Sequence, residues 1–167
     1  MILKTDRLTI TLSKATEASF YFELFNDPDW KRFINNKNHK TAKDTEKYLK
    51  ETLPNTNQNG LGIFTVSITK TNEKIGAATL MKRDFLDNID IGYAYLPKGR
   101  GKGYATEATK KMMEYCHNQL KMIALNAIVK PQNKNSIKLL KNIGFQFIKS
   151  EVFFEGCGKD NLYIFEL

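Results

Sequence analysis

Cysteine and histidine are scarce in this 167-residue sequence, which contains two of each. Cys116 falls on an apolar helical stripe and Cys157 in a Gly-Cys-Gly turn, so their spacing is not typical of a disulfide framework or a zinc site. His39 and His117 have no acidic neighbour that suggests a catalytic dyad, and both are expected at the surface. The sequence therefore predicts no metal site and a cytoplasmic protein.

Long apolar runs are also absent. No window approaches the roughly 18 apolar residues of a membrane span, and the first eight residues carry charges where a signal peptide has its apolar stretch. There is no repeat, low-complexity tract or linker, because the polar segment 54–60 is too short to separate domains. We expect a single domain over residues 1–167 that has no membrane partner.

Acidic residues are the minority among the charged ones. The chain has 26 Lys and Arg against 18 Asp and Glu, a net charge of +8, which is enough to attract polyanions. The lysines are spread from Lys4 to Lys159, whereas a single-strand binder would gather them in a stripe with interleaved aromatic residues. The sequence disfavours dedicated nucleic-acid binding, and a nucleic-acid-binding module is the weaker alternative.

Hydrophobic periodicity predicts a mixed order of helices and strands. Alternating apolar residues predict seven strands, over residues 8–12, 63–68, 75–81, 89–95, 124–130, 145–154 and 161–167. Helical spacing predicts four helices, over residues 16–25, 42–53, 105–120 and 135–143. The second helix begins with a capping box of Thr41 and Asp44 and is expected to stop at Pro54.

The most informative segment joins the strand at 89–95 to the helix at 105–120. Residues 98–103 are Lys-Gly-Arg-Gly-Lys-Gly, and glycines let backbone N–H groups approach an anion closely. The following helix directs the positive end of its dipole at that anion, and Lys98, Arg100 and Lys102 would add full charges. The segment therefore predicts a phosphate cradle, although it lacks the Gly-Lys-Ser/Thr of a P-loop and the Gly-x-Gly-x-x-Gly of a dinucleotide fold.

The pattern Arg100-x-x-Gly103-x-Ala105 resembles the signature of GNAT-type N-acetyltransferases. More narrowly, the chain is similar to the ribosomal-protein N-terminal acetyltransferase (Rim-type) branch, through segments in the expected order: 5–8, 26–28, 90–93, 101–108, 131–136, 139–140 and 144–145. The resemblance implies a mixed α/β (α+β) GNAT fold. Its central, mostly antiparallel seven-stranded sheet would have one parallel, splayed pair and helices on both faces.

The resemblance also implies the ligands. Acetyl-CoA would be the acyl donor, and a primary amine, either a peptide N-terminus or a small molecule, the acceptor. The pyrophosphate would be held by the loop residues Arg100, Gly101, Lys102, Gly103, Tyr104, Ala105 and Thr106. The pantetheine arm would fill the gap between the splayed strands, pairing with the backbone near Ala94 and Tyr95 and hydrogen-bonding Asn133, for which a helix cap is the alternative role.

Catalytic groups are implied at two positions. The tyrosine with which much of the superfamily protonates the leaving thiolate is replaced by Leu140, whereas Ser136 matches a serine thought to serve the Rim-type branch; a helix cap is the alternative for Ser136. Asp90 is the candidate general base, Glu151 is a weaker one, and a chain of ordered waters would serve equally. Backbone N–H groups at the strand splay are the candidate donors to the carbonyl oxygen.

Other functions stay open at this point. A non-catalytic acyl-CoA-binding sensor would keep the phosphate cradle without transferring an acetyl group. The early segment is rich in aromatic residues, most of which are expected in the core while one or two line an acceptor groove. Sequence does not decide between a monomer and a homodimer.

Overall fold

An eight-stranded sheet forms the centre of the computed structural model, which describes residues 2–167. The strands are β1 (Ile2–Lys4), β2 (Leu8–Leu12), β3 (Gly62–Ile68), β4 (Lys74–Met81), β5 (Ile89–Tyr95), β6 (Ala124–Val129), β7 (Gln146–Glu151) and β8 (Asp160–Glu166). They lie in the order β1-β2-β3-β4-β5-β6-β8-β7. Among the strands of residues 2–167 only β5 and β6 are parallel, as the predicted crossover requires.

The predicted count of seven strands was one too low. The additional strand is β1, whose three residues pair antiparallel with Thr9–Thr11 of β2. Three residues are too few for an alternating pattern to be recognised. The strand predicted over 145–154 is also shorter, because β7 ends at Glu151.

Five helices connect the strands: α1 (Ala18–Asn26), α2 (Pro28–Phe33), α3 (Ala42–Thr56), α4 (Tyr104–Asn118) and α5 (Lys134–Asn142). The capping box of Thr41 and Asp44 is confirmed at the start of α3. The expected stop at Pro54 was wrong, since α3 continues to Thr56 and the Asn57 N–H still donates to the Leu53 carbonyl at 2.8 Å. A proline this close to the helix end removes only one hydrogen bond of the last turn.

Helices cover both faces of the sheet, as predicted. On one face α4 and α5 pack on a core that includes Phe64, Leu80, Ile91, Leu125, Met112 and Leu140. On the other face α1 and α3 pack on a smaller core that includes Leu24, Phe25, Leu49, Ile63 and Ala77. Burying each large side chain contributes about 1.5–3 kcal/mol, so both layers hold the sheet firmly.

The strands that position the site are β5 and β6. They pair only at Ile89 with Leu125 and at Asp90 with Asn126. Beyond these two pairs the strands separate, while β5 stays paired with β4 and β6 with β8 along their lengths. The predicted splay is therefore present, and it opens a gap in the middle of the sheet.

Candidate active site

The gap between β5 and β6 widens into a cleft of about 630 Å³ that reaches both faces of the sheet. Its α5 side is lined by Tyr93, Asn133, Ser136 and Leu140. Its α3 side is lined by Phe25, Trp30, Lys31, Lys37 and Tyr48, with Arg83 and Asp90 nearby. A ligand in the gap would therefore contact hydroxyl and amide side chains on the α5 side and aromatic and basic side chains on the α3 side.

The backbone of β5 presents hydrogen-bonding groups to this gap. The Leu96 N–H donates to the Ile75 carbonyl of β4 at 2.9 Å, and alternate residues of an antiparallel strand face opposite neighbours. Consequently Ala94 directs its backbone groups toward Ala77 in β4, whereas Tyr93 and Tyr95 direct theirs toward the gap. The Tyr95 carbonyl already accepts from Arg100 Nε at 2.8 Å, which leaves the Tyr95 N–H and both backbone groups of Tyr93 for an extended ligand.

The predicted phosphate cradle lies at the end of β5. Gly101 and Gly103 have φ of 71° and 79°, values that favour glycine strongly. Gly103 begins α4 without a side-chain cap, whereas α2, α3 and α5 are capped by the side chains of Asp27, Thr41 and Asn133. The first backbone N–H groups of α4, from residues 104–106, are therefore available to an anion.

The charged side chains of this loop do not all face the cradle. Lys98 pairs with Glu73 at 3.1 Å, and Lys102 Nζ donates to the Lys98 carbonyl at 3.0 Å. The Arg100 guanidinium pairs with both Asp27 and Asp29, on the first turn of α2. Arg100 is thus paired with two carboxylates and is not the free charge expected at the phosphate, so the predicted cradle would consist of backbone N–H groups.

Arg7 holds the other side of the loop, a role that sequence reasoning missed. Its guanidinium pairs with Glu107 at 2.6 Å, donates to the Lys102 carbonyl at 3.0 Å and lies 4.6 Å from the Tyr104 ring centre. Partial burial would raise the pKa of Glu107, but hydrogen bonds from Thr5 and Arg7 hold that pKa below its ordinary value. The segment 5–8, quoted for the resemblance, thus fixes the start of α4.

Ser136 faces the cleft and does not cap its helix. The cap is Asn133, whose Oδ1 accepts the Ser136 N–H at 3.2 Å, which leaves the Asn133 amide N–H groups for another partner. Ser136 Oγ lies 2.9 Å from the Tyr93 hydroxyl, which is also 3.3 Å from the Ser136 carbonyl. Burial raises the pKa of Tyr93 to about 12, so this phenol stays protonated and can donate at neutral pH.

Asp90 lies on the opposite face of β5 from Tyr93, because side chains alternate along a strand. Its carboxylate is buried and accepts from Arg83 Nε at 3.1 Å. Burial raises the pKa of Asp90, and the Arg83 charge and the Ile128 N–H offset this only partly. The structure therefore places the two catalytic candidates, Asp90 and Ser136, on different sides of the cleft.

The remaining candidates lie outside the cleft. Glu151 is exposed on β7 and pairs with Lys149. His117 is exposed as expected, whereas His39 is half-buried, with Nδ1 2.9 Å from Thr45 Oγ1 and its ring against Phe25.

Among residues 2–167 no group of three or more His, Cys, Asp or Glu is arranged to hold a metal ion. In the same part of the chain no helix is long and apolar enough to cross a membrane.

Comparison with known proteins gives a consistent picture. A relative from Bacillus licheniformis, "Uncharacterized N-acetyltransferase p20", is 26% identical over 145 residues, covering 86% of this chain and 82% of that protein. An acetyltransferase (GNAT family) from Bacillus anthracis has a TM-score of 0.83 at 22% identity, covering 99% of this chain and 98% of that one. A ribosomal L7/L12 alpha-N-protein acetyltransferase, RimL, in complex with coenzyme A has a TM-score of 0.84 at 13% identity, over 100% and 98% of the two chains.

At these identities the two structural likenesses establish the fold alone. The family is established by sequence, because the profile of the Acetyltransferase (GNAT) domain matches residues 7–146. That stretch runs from Arg7, which holds the loop, to the start of β7, and it includes the whole cleft wall formed by β5, β6 and α5. The protein therefore belongs to the GNAT acetyltransferase family.

Proposed function

We propose that the protein transfers an acetyl group from acetyl-CoA directly to a primary amine, most closely in the manner of the Rim-type N-terminal acetyltransferases. The observation that carries this proposal is that Tyr93 and Ser136 line one cleft, and that β5, which carries Tyr93, leads directly into the loop before the uncapped start of α4. A phosphate cradle, an extended binding edge and a proton donor are the parts that such a transfer needs.

The loop and strand residues fit the two ends of the cofactor. Backbone N–H groups of residues 101–106 would hold the pyrophosphate, since no side chain within the described part of the chain caps α4. The Tyr93 backbone and the free amide N–H groups of Asn133 would hold the pantetheine arm. Bound acetyl-CoA supplies the reactive thioester, and the remaining chemistry falls to the residues of the cleft.

Tyr93 and Ser136 would act together to protonate the leaving group, the coenzyme A thiolate. The Tyr93 N–H, which faces the gap, would donate to the carbonyl oxygen of the thioester. The Tyr93 phenol donates to the Ser136 carbonyl at 3.3 Å and lies 2.9 Å from Ser136 Oγ; with the phenol as donor in both contacts, the Ser136 hydroxyl proton would be left for the departing thiolate. Asp90, whose pKa is raised by burial, is suited to accept a proton from the attacking amine through ordered water.

The acetyl group would pass to the amine directly, without a covalent intermediate on either of the two cysteines. Burial raises the pKa of Cys116 to about 12, which removes it as a nucleophile at neutral pH. Cys157 lies at the cleft in the turn between β7 and β8 and is exposed. A Cys157→Ser variant is expected to keep its activity, because the amine attacks the thioester itself.

An α-amine is the easier acceptor. With a pKa near 8 it is neutral in roughly a tenth of molecules at pH 7, whereas a lysine side chain with a pKa of about 10.4 is almost entirely charged. The test is thiol release from acetyl-CoA with a panel of N-terminal peptides, lysine peptides, polyamines and aminoglycosides. Saturable acetyl-CoA binding by calorimetry without transfer to any acceptor would indicate a sensor and overturn the proposed transfer.

A further inference from the structure

The charged residues of the cleft leave an unbalanced positive charge on its α3 side. The cleft contains two carboxylates, and each has a basic partner: Asp90 pairs with Arg83 at 3.1 Å, and Asp160 with Lys130 at 3.4 Å. The two other cations that line the cleft, Lys31 and Lys37, take part in no ion pair within residues 2–167.

Lys37 is held in place without being neutralised. Its Nζ donates to the Tyr48 hydroxyl at 2.9 Å and lies 4.1 Å from the Tyr48 ring centre and 5.5 Å from that of Phe25. Aromatic faces and a phenol oxygen attract an ammonium ion, but they carry no full negative charge. Lys37 thus keeps its positive charge, and two of its three N–H groups remain for a ligand.

Lys31, on α2, adds a second positive charge to the same side of the cleft. It lies in the last turn of that helix and lines the cleft beside Trp30. With Lys37 on the loop that follows α2, two cations therefore border the α3 side of the cleft. Their field favours the neutral form of an amine bound between them, because a nearby positive charge lowers the pKa of an amine.

We infer that the amine acceptor carries a carboxylate or another anionic group close to its amine, and that Lys37, assisted by Lys31, selects it. This inference rests on the proposed acetyl transfer and names its substrate class. A hydrogen bond between charged groups at a half-buried site corresponds to a preference of about tenfold or more. Acceptors with several positive charges, such as polyamines, are disfavoured for the same reason.

The test compares matched acceptors by their kcat/KM in thiol release. One peptide has Ser followed by three acidic residues, a second has Ser followed by three lysines, and free aspartate and spermidine serve as small acceptors. The parent enzyme is expected to prefer the acidic peptide about tenfold or more. Transfer to aspartate would show that a small anionic amine suffices, whereas transfer to the peptide alone would place the required charge in a chain.

Three variants separate charge from packing. Lys37→Met keeps the aliphatic stem on Tyr48 and is expected to lose most of the acidic preference, whereas Lys37→Arg is expected to retain it. Lys43→Met removes an exposed charge from α3 that does not line the cleft, and it should behave like the parent. Equal or faster transfer to the lysine peptide or spermidine by the parent overturns the inference.

A second readout does not depend on catalysis. Trp30 is the single tryptophan of the chain and lines this side of the cleft, so its fluorescence reports binding there. The N-acetylated acidic peptide should bind the parent about tenfold more tightly than it binds Lys37→Met. Absence of thiol release with every acceptor would overturn the proposed transfer, while equal peptide affinity of parent and variant would overturn only the role of Lys37.

Discussion

Replacing Ser136 by alanine tests the proposed proton donor with little disturbance of the fold. The helix cap survives, because Asn133 Oδ1 accepts the backbone N–H of residue 136, which alanine retains. The Tyr93 hydroxyl also keeps an acceptor, the carbonyl of the same residue at 3.3 Å. One half-buried hydrogen bond is lost, so the free energy of unfolding should fall by about 1 kcal/mol or less.

The expected effect on the rate is much larger. General acid catalysis contributes about a hundredfold to ten-thousandfold, or about 3–5 kcal/mol of transition-state stabilisation. The turnover number of Ser136→Ala should fall by at least about a hundredfold, while the dissociation constant of acetyl-CoA stays nearly unchanged. Steady-state thiol release at saturating donor gives the first quantity, and calorimetric titration gives the second.

Two companion variants sharpen the interpretation. Ser136→Thr keeps a hydroxyl and should retain most of the rate. Tyr93→Phe removes the phenol that donates to Ser136 and should lower turnover by about tenfold, the value of one hydrogen bond that orients the acid. If Ser136→Ala turns over within threefold of the parent, the hydroxyl is merely a partner of Tyr93 and the leaving thiolate is protonated by another group.

Three further outcomes are expected. Gly103→Val, at φ 79°, should cost about 1–2 kcal/mol of strain and abolish acetyl-CoA binding in calorimetry, whereas Gly156→Val, with a similar φ of 75° in the turn between β7 and β8 and outside the glycine loop, should leave binding intact. Asp90→Asn should slow transfer and remove the acid limb of the rate profile. Burial raises the pKa of Asp90 in the folded protein above its value in the unfolded chain, which is about 3.9. Asp90 therefore contributes fully to the free energy of unfolding below a pH of about 3.9, and this contribution is lost as the pH rises through the folded pKa. Denaturant titrations of Asp90→Asn should show no such loss. Arg100→Lys should weaken acetyl-CoA binding and lower the melting temperature, since a lysine cannot reach both acidic partners and the Tyr95 carbonyl together.

Features of the site that lie within short segments could be predicted from the sequence, whereas contacts between residues far apart in the chain could not. The glycine loop and the Asn133 cap follow from short-range patterns, the splayed pair was implied by the family resemblance, and the structure contains all three. The contact between Tyr93 and Ser136 joins residues 43 positions apart across the crossover. No periodicity encodes such a contact, because it depends on how far α5 tilts over the gap.

The orientation of the Arg100 side chain also could not be predicted from local sequence patterns. Its position in the signature suggested a phosphate ligand, but its partner Asp27 lies 73 residues earlier. Only the folded chain brings the first turn of α2 beside the loop. A buried carboxylate without a partner is costly, so the guanidinium is drawn to Asp27 and away from the cradle.

Asp27 thereby links the start of α2 to the glycine loop. Its carboxylate accepts the backbone N–H groups of Asp29 and Trp30, at 3.0 and 3.3 Å, and so begins α2. The same oxygen pairs with Arg100, which anchors the phosphate loop through the Tyr95 carbonyl. Because α2 carries Trp30 and is followed directly by the loop with Lys37, this ion pair connects the glycine loop to a segment that lines the α3 side of the cleft. An arginine at position 100 is suited to this connection, since one guanidinium reaches the Asp27 and Asp29 carboxylates and the Tyr95 carbonyl together.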